Sequence, residues 1–212
     1  MISAVILAAG RSTRMGLTKQ LLKLGDRSVI EHVISNVGRS KVGEIIVVLG
    51  YKAGEIAERI VEKSGIKIVT NPDYEMGLST SLKAGIEETD GRSEAIIFVL
   101  GDQPLMSAST INKIVDEYER THSLIVVPTY KGRRGHPVLI DRSLLCEVMK
   151  IGGDIGARSI IKRYEGDTHE VEVDDPGILK DFDTMKEFEA LKRGWERREL
   201  HTSLINEGES KG

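Results

Sequence analysis

What most constrains this chain is a series of short Val/Ile-rich runs, each separated from the next by a helix-length stretch. The runs are Ser3–Ala8 (SAVILA), Glu44–Leu49 (EIIVVL), Ile66–Thr70 (IKIVT), Ala95–Leu100 (AIIFVL) and Ser123–Pro128 (SLIVVP). Several are apolar on successive residues, not only on alternate ones, as strands buried on both faces of a helix-covered parallel sheet must be. The stretches between them have helical spacing. Val29, Val33, Ile34 and Val37 share one face, Ile56, Ile60 and Val61 a second, and Ile111, Ile114, Val115 and Tyr118 a third. This alternation predicts an α/β fold with a doubly wound, mostly parallel sheet and right-handed crossovers. The 212 residues suit one domain over 1–200, with the polar segment 201–212 as a flexible tail.

After residue 128 the pattern changes. Thr129–Gly135 (TYKGRRG) is turn-like and precedes the apolar His136–Ile140, which predicts a β-hairpin excursion near 124–140. Gly152–Arg158 (GGDIGAR) is a glycine-rich break before a short helix. Glu170–Val173 and Ile178–Phe182 read as late strands flanking the Asp174-Asp175-Pro176-Gly177 turn. Thr184, with Glu187 three residues on, reads as the N-cap of a charged helix that reaches about Leu200. Its lone Trp195 suggests no function, and the helix reads as amphipathic and solvated.

Composition excludes several classes. A single cysteine, Cys146, cannot form an internal disulfide, fits a reducing compartment and reads as a small buried hydrophobe. No apolar run approaches the roughly 18 residues of a membrane span, and the start lacks the basic region of a signal peptide. The expectation is therefore a cytoplasmic protein without a membrane association. A net charge of −3 gives no general attraction for nucleic acid or anionic lipid.

That total conceals a local imbalance. Arg11, Arg14, Lys19, Lys23 and Arg27 face only Asp26 within residues 11–27, giving +4 there and −7 elsewhere. In an open parallel sheet ligands bind beyond the carboxyl ends of the strands, and this cluster follows the first strand directly. Small residues at 8–10 let backbone N–H groups approach phosphate oxygens, with Arg14 and Lys19 supplying charge. The segment is neither of two familiar phosphate loops. Ser12 stands where a dinucleotide fingerprint needs Gly, and Gly10 and Gly16 are wrongly spaced for a Walker loop, with Leu17 following.

The second candidate site is Leu100-Gly101-Asp102-Gln103-Pro104, also at a strand end. A carboxylate there suits a Mg²⁺ ion shared with phosphates; the alternative is a turn or N-cap aspartate. In Asp181-Phe182-Asp183-Thr184, strand alternation would put Asp181 and Asp183 on one side, and capping of the next helix is the other reading.

Taken together, LAAGRSTRMGLTKQLL (7–22), MGLSTSLKAGI (76–86), VLGDQP (99–104), GHPVL (135–139) and GGDIGAR (152–158) resemble the molybdenum cofactor cytidylyltransferases. These belong to the MobA-like nucleotidyltransferases, which have a Rossmann-like fold, and the resemblance spans about residues 2–188. It implies Mg²⁺-dependent transfer of CMP from CTP to molybdopterin-bound molybdenum cofactor, and a molybdenum hydroxylase as recipient of the product. It further implies that Leu7, Ala8, Ala9 and Gly10 bind the nucleotide through backbone, with Arg14 and Lys19 on its phosphates. Ala9 goes with the cytidylyl branch, because the guanylyl branch resembles LAGG. Gly77, Leu78, Ser79 and Ser81 would lie near base and ribose, and the serines are equally suited to capping a helix. Asp102 would hold the metal, joined by Asp183, although Met185-Lys186 departs from the family's usual continuation after that aspartate. Gln103, Pro104, His136, Gly153, Asp154 and Arg158 would face the acceptor; for His136 a structural role at a proline-bounded turn is the alternative.

Two other functions fit the same residues less well. One is transfer to a sugar phosphate or another small phosphate. The other is non-catalytic binding and delivery of molybdopterin, which would not need a nucleotide loop and a metal carboxylate together. An oxidoreductase lacks its fingerprint here.

Overall fold

Seven consecutive buried residues form β1 (Ile2–Ala8), and the sheet is built outward from it in both directions. The computed structural model describes residues 1–12, 15–60 and 65–209, with the backbone alone from 198 onward. On one side of β1 lie β4 (Glu44–Leu49) and β5 (Ile66–Thr70), both parallel to it. On the other side lies β6 (Ala95–Leu100), also parallel. Beyond β6 come β9 (Val138–Asp141), β7 (Ile125–Tyr130) and β10 (Thr168–Glu172), in that order. Among the described residues of this sheet, only β9 and the short β8 (Arg133–Arg134) run antiparallel to their neighbours. The expected excursion is therefore present: β7 turns through β8 into β9, which inserts between β7 and β6.

Alternation along β1 divides the interior. Ala4, Ile6 and Ala8 face the core beneath α1 (Val29–Gly38), α2 (Ala53–Ile60) and α4 (Ala108–Thr121). Val5 and Leu7 face the opposite core, with α3 (Leu78–Glu87), α5 (Leu145–Val148) and α6 (Arg158–Arg163). Val29, Val33, Ile34 and Val37 are all buried, as are Ile56, Ile60, Ile111, Ile114, Val115 and Tyr118. Val61 lies outside the described residues. A two-stranded ribbon, β2 (Lys23–Leu24) with β3 (Arg27–Ser28), precedes α1. Ser28 and Glu31 close a capping box at that helix.

Several expectations need correction. Residues 178–182 are not a strand. The Asp175 carboxylate accepts from Gly177 N–H at 2.8 Å, and also from Ser107 N–H and Thr110 Oγ1. That network, with Pro176 unable to donate to a ladder, winds Pro176–Leu179 into a 3₁₀ turn. Asp181 and Asp183 accordingly do not share a strand face, and β10 starts two residues earlier than expected. Strand β7 likewise begins at Ile125, two residues later than expected. Cys146 is exposed, because Leu144, Leu145 and Val148 take the buried face of that short turn.

The last helix also differs. Helix α7 (Met185–Glu209) continues past Leu200, and its first turns are packed, not solvated. Phe188 and Leu191 are buried in a third core with Leu24, Val29 and Phe182. Trp195 stacks edge-on against His32, with ring centroids 5.6 Å apart. Among the described residues no helix is long and apolar enough to cross a membrane.

Candidate active site

The reversal of sheet growth about β1 leaves a crevice at the carboxyl ends of β1, β4 and β6. The segment leaving β1 is tied down through its carbonyls. Leu7 C=O accepts from Gly101 N–H at 2.9 Å and Ala9 C=O from Tyr51 N–H at 3.1 Å. Ala8 C=O accepts from Gln20 Nε2 at 3.1 Å. The close approach of the two strand ends requires glycine at 101, where a Cβ would lie 2.8 Å from the Ala8 methyl. Leu7, Ala9 and Gly10 line a cleft of about 390 Å³, whereas Ala8 is buried on the far face.

The 3₁₀ turn Lys19–Leu21 carries a lysine into the floor of this cleft. Lys19 is only 6% exposed. Its Nζ lies 2.6 Å from Asp183 Oδ1, 3.4 Å from Asp102 Oδ2 and 5.4 Å from the Phe182 ring centroid. Asp102 arrives from the end of β6. Asp183 arrives from the start of α7, where its own N–H and that of Thr184 donate to Glu187 Oε2 and Glu187 N–H donates to Thr184 Oγ1. The expected cap on Thr184 is therefore present, and it fixes the backbone that presents Asp183. Burial raises the Asp102 carboxyl above the usual carboxylate range; Lys19 opposes this and Asp181 reinforces it. Arg14 lies outside the described residues.

Among the described residues no group of three or more His, Cys, Asp or Glu is arranged to hold a metal. A pair of carboxylates reaching the same ammonium nonetheless fits a hard divalent cation that takes its remaining ligands from phosphates and water. The donor set suits such an ion better than zinc, which prefers nitrogen and sulfur.

The opposite wall is the start of α3. Gly77 has φ +109° and packs directly on Gly153. Ser79 N–H donates to Gly153 C=O at 3.2 Å, and Leu78 N–H to Asp154 Oδ1 at 3.3 Å. Gly77, Leu78, Ser81 and Asp154 line the cleft; Ser79 is buried behind them. Asn71 Nδ2 donates to Ser81 Oγ at 3.0 Å, so that hydroxyl already has a structural partner.

The remaining expected acceptor residues lie apart from this wall. Gln103 and Pro104 are buried under the Asp102 turn, and Gln103 Oε1 has no partner. His136 and Arg158 line a separate cavity of about 300 Å³ together with Arg134 and Lys162. His136 Nδ1 is buried without a partner. Burial first, and the Arg158 charge second, push its pKa down to about 4 against the opposing pull of Asp181. The imidazole is thus neutral near pH 7.

Sequence reasoning gave no site role to Ser12, Gln20 or Tyr74, all of which line the cleft. Gln20 carried a usable signal, as an amide between Lys19 and two leucines. It is 4% exposed and its Oε1 is unpartnered.

Comparison with known proteins gives the family and several relatives of this chain. Residues 4–169 match the family model described as the MobA-like NTP transferase domain. The chain is 30% identical to molybdenum cofactor cytidylyltransferase of Escherichia coli K12, over 90% of this chain and 95% of that protein. It is 27% identical to nicotine blue oxidoreductase of Paenarthrobacter nicotinovorans, over 90% of this chain and 96% of that one. Rv0371c from Mycobacterium tuberculosis H37Rv, solved in complex with manganese, superposes with a TM-score of 0.79 at 28% identity, covering 91% of this chain and 98% of that one.

Proposed function

Because this chain belongs to the MobA-like NTP transferase family and is a nucleotidyltransferase, we propose that it transfers CMP from CTP to the phosphate of molybdopterin-bound molybdenum cofactor, with Mg²⁺ as the metal. The products are the cytosine dinucleotide form of the cofactor and pyrophosphate. The observation that carries the reading is the Lys19–Asp102–Asp183 cluster in the floor of a cleft whose rim is the Leu7–Gly10 backbone. The similarity to a cytidylyltransferase over nearly the whole chain, and Ala9 in place of the first glycine of LAGG, support cytidine.

The reaction asks little of side chains as acids or bases. An acceptor phosphate oxygen is already anionic at neutral pH and attacks the α-phosphorus of CTP. The bond from that phosphorus to the bridging oxygen breaks, and pyrophosphate leaves with the electron pair. The barrier is repulsion between anions, so positioning and fixed positive charge supply most of the catalysis. Lys19 places an ammonium, and Gly10 an open backbone, beside the triphosphate. Asp102 and Asp183 would hold the cation, which when bound supplies positive charge to the phosphate oxygens. His136 and Arg158, in their separate cavity, stand outside this step. Ser12 at the position of a required glycine argues against a dinucleotide oxidoreductase.

The test is pyrophosphate release with CTP, GTP, ATP and UTP, each with and without molybdopterin cofactor. The expected result is release with CTP that depends on the pterin. Release that ignores the pterin and follows a sugar phosphate would reassign the acceptor, and no release with any pair would favour a binding protein.

A further inference from the structure

At the centre of the candidate site stands an ammonium where the proposed reaction requires a divalent cation. Lys19 Nζ contacts both carboxylates at 2.6 and 3.4 Å, and its side chain is 7% exposed. A cation so buried persists only if counter-charges surround it. Conversely, two carboxylates brought to one point need a cation between them. A divalent cation held by the same two carboxylates would compete for the same place, and two cations in one poorly solvated space repel each other. Lysine and metal therefore compete for the pair unless the lysine has another anion to turn to. The cleft provides for one, because Lys19 shares its lining with Gly10 and Ser12 of the loop leaving β1. A lysine suits this exchange, being a point charge on a flexible four-carbon stem.

We propose that Lys19 is the counter-ion of the Asp102–Asp183 pair until a nucleoside triphosphate draws its ammonium onto phosphate oxygens, so that nucleotide and divalent cation bind with positive cooperativity. The proposal rests on the nucleotidyl-transfer reading and adds to it a reason why metal alone binds weakly. By linkage, whatever factor the nucleotide contributes to metal affinity the metal returns to the nucleotide.

Mn²⁺ is the probe, with free ion counted by electron paramagnetic resonance and no nucleotide present. Lys19→Met, uncharged and of similar length, should bind Mn²⁺ about 10- to 100-fold more tightly than wild type, the usual span of such couplings. Adding Asp102→Asn to it should abolish the gain. Equal affinity in wild type and Lys19→Met, or a gain that survives Asp102→Asn, overturns the proposal. A second measurement uses the wild-type chain with ¹³C-labelled lysine, the Lys19 ε-methylene signal being assigned by its absence from Lys19→Arg, which keeps the charge. Millimolar Mg²⁺ alone should leave that signal in place, and CTP in EDTA should move it. Movement by Mg²⁺ alone also overturns the proposal. Failure of CTP to bind at all overturns the transferase reading instead, and the Mn²⁺ comparison still decides whether Lys19 guards the carboxylates.

Discussion

Gly77→Ala isolates the wall of the cleft that depends on backbone geometry. Gly77 has φ +109° and ψ 171°, a region open essentially to glycine alone. A Cβ built there lies 2.4 Å from the Gly153 carbonyl carbon and 2.6 Å from Asp154 N, both backbone atoms that no rotamer change can move aside. Holding alanine in that conformation costs about 1–3 kcal/mol. Relieving the clash means lifting the 153–154 loop, which breaks the bonds from Ser79 N–H and Leu78 N–H at 3.2 and 3.3 Å. Each is worth about 0.5–1.5 kcal/mol, with the exposed Asp154 bond at the low end. The expected loss is about 2–5 kcal/mol, a fall in Tm of about 5–15 °C for a chain of this size. Thermal and urea melts followed by circular dichroism measure it. Gly54→Ala is the control: it lies in α2 with no heavy atom within 4 Å of an added Cβ. There alanine should stabilise by about 0.5–1 kcal/mol through helix propensity. A Gly77→Ala protein melting within a degree of wild type would refute the reasoning, as would equal losses in the two variants.

Two further outcomes are expected. Asp102→Asn and Lys19→Ala should remain folded and lose about 10²–10³ in turnover, the range seen when one charge-stabilising group is deleted; steady-state pyrophosphate release checks this, and wild-type turnover of folded Asp102→Asn would remove the metal assignment. His136, held down to about 4 by burial, should contribute stability that is full above its ordinary value of 6.5 and lost as pH falls through 4, because the unfolded chain binds the extra proton in that window. The effect amounts to at most about 3 kcal/mol. Urea midpoints between pH 7 and pH 4 should show this slope in wild type and a flatter one in His136→Gln.

Much of the framework was legible because burial on both faces writes itself into composition. Glu44–Leu49, Ile66–Thr70 and Ala95–Leu100 are strands with the bounds their apolar runs suggested. The buried faces of α1 and α4 follow from residues three and four apart in the same way. What escaped were features set by a single side chain acting at a distance. Nothing local distinguishes Ile178–Phe182 from a strand; the Asp175 carboxylate, reaching Gly177 and the start of α4, decides otherwise. Cys146 sits in a four-residue turn, too short for periodicity to say which side faces water. In the site, the strand-end rule brought Gly10 and Asp102 to one edge, since each follows a parallel strand. It did not foresee that His136 and Arg158 share a separate cavity: antiparallel pairing sets Val138 against Phe98 and so brings the start of β9 to the same sheet edge, but there it faces Arg158, Ile161 and Lys162 of α6.

The last helix shows how far the electrostatics of the site depend on packing. A lysine that is 6% exposed would be a liability if left unpaired. Its nearer partner, Asp183, stands 164 residues away in sequence. No motif spacing sets the 2.6 Å between them; the third core does. Phe182 and Phe188 pack with ring centroids 5.0 Å apart, on either side of the capped turn that carries Asp183. Leu191 and Trp195 extend the same contact onto the ribbon between Lys19 and α1, where a Cβ on Gly25 would lie 2.2 Å from the Trp195 ring. The basic loop following the first strand and the helix that closes the described chain are thus one electrostatic unit. The third core, remote from any phosphate, fixes where the positive charge of Lys19 can rest.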